Sequence, residues 1–407
     1  MCGRSAIDTP CRTDAFDIPT MRFVPAPITM TAHARVFPLV LALTVIAAAA
    51  RGQPGPWTDS TLRTPEAEIY RTWLRYVASK PAGITDCSRS SYWLASEQTG
   101  GCYDLANSFL IPGTRPRVVR IEPSGSHRYE YRLVLEARHN DPSATAPTWW
   151  TSMQITLYAV RDSSRWVLSG ALSRSTATWK RVVVGPITYV IQPGHGFDLA
   201  RARRAVAWSD SIANAFGVKR LPLLQYFLTL SRDDVYRIMG LESAVKFGPG
   251  GGNAQRGMIF SGTPSVGEDY RHELMHALMA PLTSPGTTYL ASEGVATWVG
   301  GTAGFDFRAS VAGLARHLAE HPALTLDSIL ERGLKSFTAT EIYPAGAVLA
   351  DMVFERGGVP AVKAFLGGGP TTADLRVTLA RLLDQPWPRI AASWRARVAS
   401  IGARPAG

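Results

Sequence analysis

The segment His272-Glu273-Leu274-Met275-His276 carries two histidines four residues apart with a glutamate beside the first. On a helix, residues four apart lie one turn apart on the same face. Both imidazoles can therefore point at one metal ion. Neutral imidazole suits Zn2+, and a catalytic zinc takes three protein ligands plus a water. Glu273 sits within reach of that water rather than of the metal, where this pattern needs a general base. Two ordinary histidines on a helix would spell the same letters. Here, however, the apolar Leu274, Met275 and Leu278 can anchor the helix in a core.

The motif lacks a third ligand. Glu293 lies beyond a turn containing Pro281, Ser284, Pro285 and Gly286, inside Leu290-Ala291-Ser292-Glu293-Gly294-Val295-Ala296-Thr297-Trp298. Two helices joined by such a turn can pack antiparallel, which brings Glu293 back towards the histidines. The small Gly294 and Ala296 are expected to let this helix approach the metal helix closely. An acid near a helix N-terminus is also favoured by the dipole alone, and that reading is compatible with metal binding. Asp269 and Thr297 are candidates for bracing a ligand.

H-E-L-M-H followed by L-A-S-E-G-V-A-T-W resembles the gluzincin arrangement of zinc metallopeptidases. It is most similar to the peptidase MA-like group, in which H-E-x-x-H is followed by an E-G-x-A helix. The resemblance implies one Zn2+ held by His272, His276 and Glu293, with Glu273 as catalytic base. It extends more loosely over residues 187–397, including Tyr343-Pro344-Ala345-Gly346-Ala347, and leaves 51–180 uncovered. By position and resemblance Tyr343 is a candidate to polarise the substrate carbonyl, with a core or rim tyrosine as the alternative. The chain departs from the family in a shorter spacing to Glu293 than the aminopeptidase branch, and it has no exopeptidase anchor motif. Thr297 stands where a thermolysin-type acid would be.

A second pattern, His317-Leu318-Ala319-Glu320-His321, spells the inverted H-x-x-E-H motif. It ends at Pro322, and Val311, Leu314 and Leu318 form the apolar stripe of its helix. This leaves both histidines on a polar face, so a solvated helix end is favoured over a metal site. Ser243-Ala244-Val245-Lys246 matches S-x-x-K, but no K-T-G follows. The glycines at 248–252 lack G-K-[ST] and so do not read as a phosphate loop. There is no G-x-S-x-G elbow.

The elements that must position these residues follow from periodicity. Thr64-Pro65-Glu66 starts a helix, with a capping hydroxyl and proline at its first position. His127 to Arg138 and Ser152 to Val160 alternate with period two, as half-buried strands do. Arg165 to Leu172 is a further expected strand. Phe197 to Phe216 is helical and ends at Gly217. Leu221 to Leu230 and Met258-Ile259-Phe260 are strands, the latter expected to align a peptide backbone. Helices dominate from about residue 308.

The expected fold is α+β, with an N-terminal curved antiparallel-sheet domain followed by a mainly helical zincin-like metallopeptidase domain. The boundaries are 1–50 for an N-terminal extension and signal peptide, 51–180 for the accessory domain and 181–400 for the peptidase domain.

Val36 to Ala50 is fifteen residues without a charge, flanked by Arg35 and Arg51. That is short of the ~20 a spanning helix needs. With its alanine-rich end it matches a secretory signal over about residues 30–50. The expectation is a secreted or periplasmic protein with no stable membrane span after cleavage, an uncleaved anchor being the alternative. Cys87 and Cys102 would then remain as a candidate disulfide, worth roughly 3 kcal/mol for a loop of ~15 residues. The net charge of +11 is spread evenly and comes almost wholly from arginine. No basic block interleaved with aromatics is present, so no nucleic-acid partner is expected. The expected partner is a peptide or protein substrate. A zinc hydrolase of a non-peptide amide or ester, or a non-catalytic binding protein on a zincin scaffold, stands as the alternative.

Overall fold

A computed structural model of the chain describes residues 64–79, 90–97, 114–124, 130–140, 149–244, 252–255, 257–283, 287–333 and 339–403. The apolar run Val36–Ala50, Cys87 and Cys102 lie outside them. Among the described residues the chain is a mixed α+β protein of eleven helices and two five-stranded sheets.

The first half opens with helix α1 (Pro65–Ala78), capped by the Thr64 hydroxyl, which accepts from the Ala67 N–H at 3.3 Å. Four strands follow: β1 (Thr114–Pro123), β2 (Glu130–Asn140), β3 (Trp149–Asp162) and β4 (Arg165–Ser169). They pair antiparallel in that order. Register shifts interrupt β1–β2 between Val118 and Arg120 and β2–β3 between Ala137 and Arg138. Such bulges bend their strand and increase its twist. Leu133 sits opposite Leu157, and both are buried with Trp73 and Tyr76 of α1. The expected strand to Leu172 stops at Ser169, and Leu172–Ser175 forms the short helix α2.

The second sheet contains β5 (Lys180–Val184), β6 (Ile187–Ile191), β7 (Leu224–Leu228), β9 (Gly252–Gln255) and β10 (Met258–Ser261), in the order β5-β6-β7-β10-β9. Helix α3 (Leu199–Phe216) crosses from β6 to the parallel β7 and ends at Gly217, which is left-handed at φ 56°. After β7 come α4 (Arg232–Ile238) and β8 (Leu241–Ala244). β8 does not join its neighbours in sequence but pairs antiparallel with β3. The first sheet thus takes its fifth strand from beyond residue 180, and Leu241 joins its core. Glu242 in that strand bonds both Arg132 and Thr156 of the first sheet.

The remainder is helical: α5 (Arg271–Met279), α6 (Tyr289–Gly300), α7 (Phe307–Glu320), α8 (Leu326–Gly333), α9 (Ala339–Leu366), α10 (Thr372–Leu383) and α11 (Trp387–Gly402). α9 breaks at Gly357–Gly358, where the backbone leaves helical geometry. One apolar core joins these helices to the second sheet. No described helix is long and apolar enough to cross a membrane.

Candidate metal centre

Helix α5 is only nine residues long and has no side-chain cap. Isolated helices of this length are marginal in water, so its surroundings must hold it. Leu274 and Met275 are fully buried, and Leu278 and Met279 nearly so. The chain leading into the helix is clamped by two buried tyrosines of the sheet. The Tyr226 hydroxyl donates to the Gly267 carbonyl at 2.7 Å and accepts from the Tyr270 N–H at 3.2 Å. The Tyr189 hydroxyl donates to the Glu268 carbonyl at 3.1 Å. β6 and β7 therefore fix where α5 begins.

α6 starts at Thr288, whose hydroxyl accepts from the Ala291 N–H at 3.3 Å. Gly294 does not act as expected. A Cβ built on Gly294 would overlap the Gly346 backbone, so this glycine faces α9 rather than the metal helix. The contact with the metal helix is made by Gly300, where a Cβ would lie 2.6 Å from the backbone of Arg271 and His272.

Together α5 and α6 bring the three expected ligands to one point. His272 Nε2 lies 3.0 Å from Glu293 Oε2, His276 Nε2 lies 3.3 Å from the same oxygen, and the two Nε2 atoms are 3.2 Å apart. His272 Nδ1 donates to the Gly301 carbonyl at 2.8 Å. A carbonyl only accepts, so this bond places the ring proton on Nδ1 and turns the Nε2 lone pair inward. His276 Nδ1 lies 3.3 Å from the Ser292 hydroxyl.

Three atoms that accept in their neutral or anionic forms are thus in mutual contact in a site where His272 is 2% and Glu293 9% exposed. Such a cluster is held together by a shared proton, as on His276, or by a shared metal cation. Ligands ~2.0–2.2 Å from a tetrahedral zinc lie ~3.3–3.6 Å apart, a spacing these separations approach. The donor set fits the expected ion.

The electrostatics follow from burial and proximity. Burial alone would raise the Glu293 carboxyl, but the His276 charge and the hydrogen bond from that imidazole hold it far below the carboxylate range. Burial opposes charge on His276, yet the Glu293 carboxylate overrides this and pushes it up to about 9. Glu273, 5% exposed, is pushed up by desolvation, with the Glu293 charge adding to the effect and the histidines opposing it. The Ala254 N–H of β9 donates to its carboxylate.

Tyr343 of α9 stacks on His272, with ring centroids 5.4 Å apart and planes at 20°. Its hydroxyl is 3.0 Å from that of Tyr289. Burial and then the Glu293 charge raise both phenols, Tyr289 to about 12 and Tyr343 further, so both keep their protons. Tyr289 was not singled out in the sequence, although its position four residues before Glu293 places it on the same helix face.

Two further candidates sit differently. Asp269 precedes α5 rather than lying on it, and its carboxylate accepts from Arg271 at 3.1–3.2 Å. Thr297 is fully buried and its hydroxyl bonds to nothing among the described residues, so it braces no ligand. The strand around Ile259 is interior, paired with β7 on one side and β9 on the other. The strand at the sheet edge beside Glu273 is β9. Comparison of the chain with models of protein families, and with curated protein sequences, finds no match.

Proposed function

We propose that the chain is a zinc metallopeptidase of the gluzincin type, hydrolysing peptide bonds with Glu273 as general base. The observation that carries this reading is the convergence of His272, His276 and Glu293 on one point with a buried glutamate directly beside it. Residues 181–400 are then read as the zincin-like domain and 51–180 as an accessory domain. The uncharged run before Arg51 supports action outside the cytoplasm.

When bound, zinc supplies Lewis acidity, lowering the pKa of a water and polarising a carbonyl. Glu273 takes the proton of the attacking water and delivers it to the leaving amine. Its raised pKa suits that task, since a base that must also give the proton back works best near the operating pH. Tyr343, held protonated over His272, donates to the carbonyl oxygen as negative charge develops there. An extended peptide adding to the edge strand β9 would be bound through main-chain hydrogen bonds. The Ala254–Glu273 bond sets that edge beside the base.

The test is a peptide-library digestion by the full chain and by Glu273→Gln, with zinc content measured on both. Equal zinc and loss of cleavage by 10²-fold or more is expected, in the range a general base contributes. Cleavage by the variant at the wild-type rate would remove the base assignment. Absence of cleavage by the wild type would remove the peptidase reading.

A further inference from the structure

The last turn of α7 does not end as a simple solvated helix terminus. His317, Glu320 and His321 each offer one ligand atom there, and these atoms all lie within 4.8 Å of one another. Spacing explains the grouping, since i, i+3 and i+4 share a helix face.

Two hydrogen bonds then orient the imidazoles. His317 Nε2 lies 2.9 Å from Oε1 of Glu341, a carboxylate of α9 that is only 5% exposed. An ionised carboxylate only accepts, so Nε2 carries a proton and the neutral ring has its lone pair on Nδ1. His321 Nδ1 lies 2.9 Å from the His317 carbonyl, which puts its proton on Nδ1 and its lone pair on Nε2. Each ring thus spends one nitrogen on a protein acceptor and keeps the other as an acceptor. The rings sit 4.3 Å apart at 35°.

A buried carboxylate behind an imidazole is the arrangement that fixes tautomer and raises basicity in metal-ligating histidines. A solvated surface histidine has no need of it. Glu320 and His321 are exposed, so the open side faces solvent and leaves room for water ligands.

We propose that His317, Glu320 and His321 form a second divalent transition-metal site, positioned by Glu341. Two imidazoles and one carboxylate suit Zn2+, Ni2+ or Cu2+ and not the all-oxygen preference of Mg2+ or Ca2+. The site shares no residue with the first, so it stands whatever that site does.

The test is titration of the chelator-treated full chain with Zn2+, read as bound zinc per chain by calorimetry and elemental analysis. His321→Gln and Glu320→Gln change exposed side chains and leave the core untouched. The expected result is one zinc fewer per chain in His321→Gln than in the wild type. In Glu320→Gln, affinity for that ion should fall at least tenfold. Both differences are read independently of whether the site on α5 fills. Equal stoichiometry and equal affinities in all three proteins would overturn the proposal, as would a wild type in which no zinc is lost on substituting His321.

Discussion

Substituting alanine for Gly300 adds one methyl group where α6 presses on the start of the metal helix. That Cβ would lie 2.6 Å from Arg271 C and His272 N, against the 3.4 Å at which ordinary contact begins. The contacted atoms are backbone and cannot rotate away, so the two helices must separate by about 0.8 Å, the difference between these distances. Glu293 rides on one helix and both histidines on the other, so the shift falls directly on the ligand triangle.

Two effects on stability oppose each other. Alanine gains up to about 1 kcal/mol of helix propensity over glycine, whereas overpacking a filled core costs about 1–3 kcal/mol. The expected net is a loss of about 1 kcal/mol. An error of about 1 Å in a positioned site can cost ~10²-fold in activity.

Gly313 provides the control. It lies inside α7, and its nearest neighbour is the flexible tip of Arg316 at 4.0 Å. Gly313→Ala should therefore gain stability and leave zinc affinity unchanged. The assay is urea unfolding of the metal-free proteins together with zinc affinity by chelator competition. If Gly300→Ala matched Gly313→Ala in both readouts, α6 would not set the position of the metal helix.

Zinc affinity should rise about tenfold per pH unit through neutrality and level off near pH 9, because the ion must displace the proton that Glu293 holds on His276; a pH series of chelator competition reads this slope, and a flat profile from pH 6 to 9 would contradict it. In the metal-free protein the raised His276 stabilises the fold fully below pH 6.5 and loses that contribution as pH climbs through about 9. The lowered Glu293 contributes above its ordinary 4.5 and is lost as pH falls. Urea midpoints across this range should therefore decline on both sides, and a midpoint unchanged from pH 6 to 9 would count against the pair. Tyr343→Phe should keep zinc but lower kcat by 10²–10³-fold, as loss of an oxyanion donor does; unchanged kcat would reduce Tyr343 to a packing residue of His272.

The convergence of His272, His276 and Glu293 was legible because its geometry is local. Two histidines one turn apart and an acid after a tight turn need few long-range facts. What escaped the sequence is carried by groups without a side-chain signature. The Gly301 carbonyl that orients His272 is a backbone acceptor 29 residues away. Gly294 and Gly300 are both small helix residues, and only the packing reveals which faces α9 and which faces α5. β9 is a four-residue strand at the end of a glycine run, with no alternation to announce it, so the backbone-aligning role was assigned to the strand around Ile259 instead. The return of β8 to the first sheet is a non-local pairing of the kind periodicity cannot express. His317 reads as solvated because its burying partner, Glu341, arrives from another helix.

The most direct measurement is an anomalous difference map at the zinc edge from crystals of the full chain grown with Zn2+. A strong peak ~2.0–2.2 Å from His272 Nε2, His276 Nε2 and a Glu293 carboxylate oxygen is expected, with Glu273 close by but outside bonding distance. A map with no peak between these three atoms, from protein that binds zinc in solution, would contradict the metal centre and the hydrolytic reading with it.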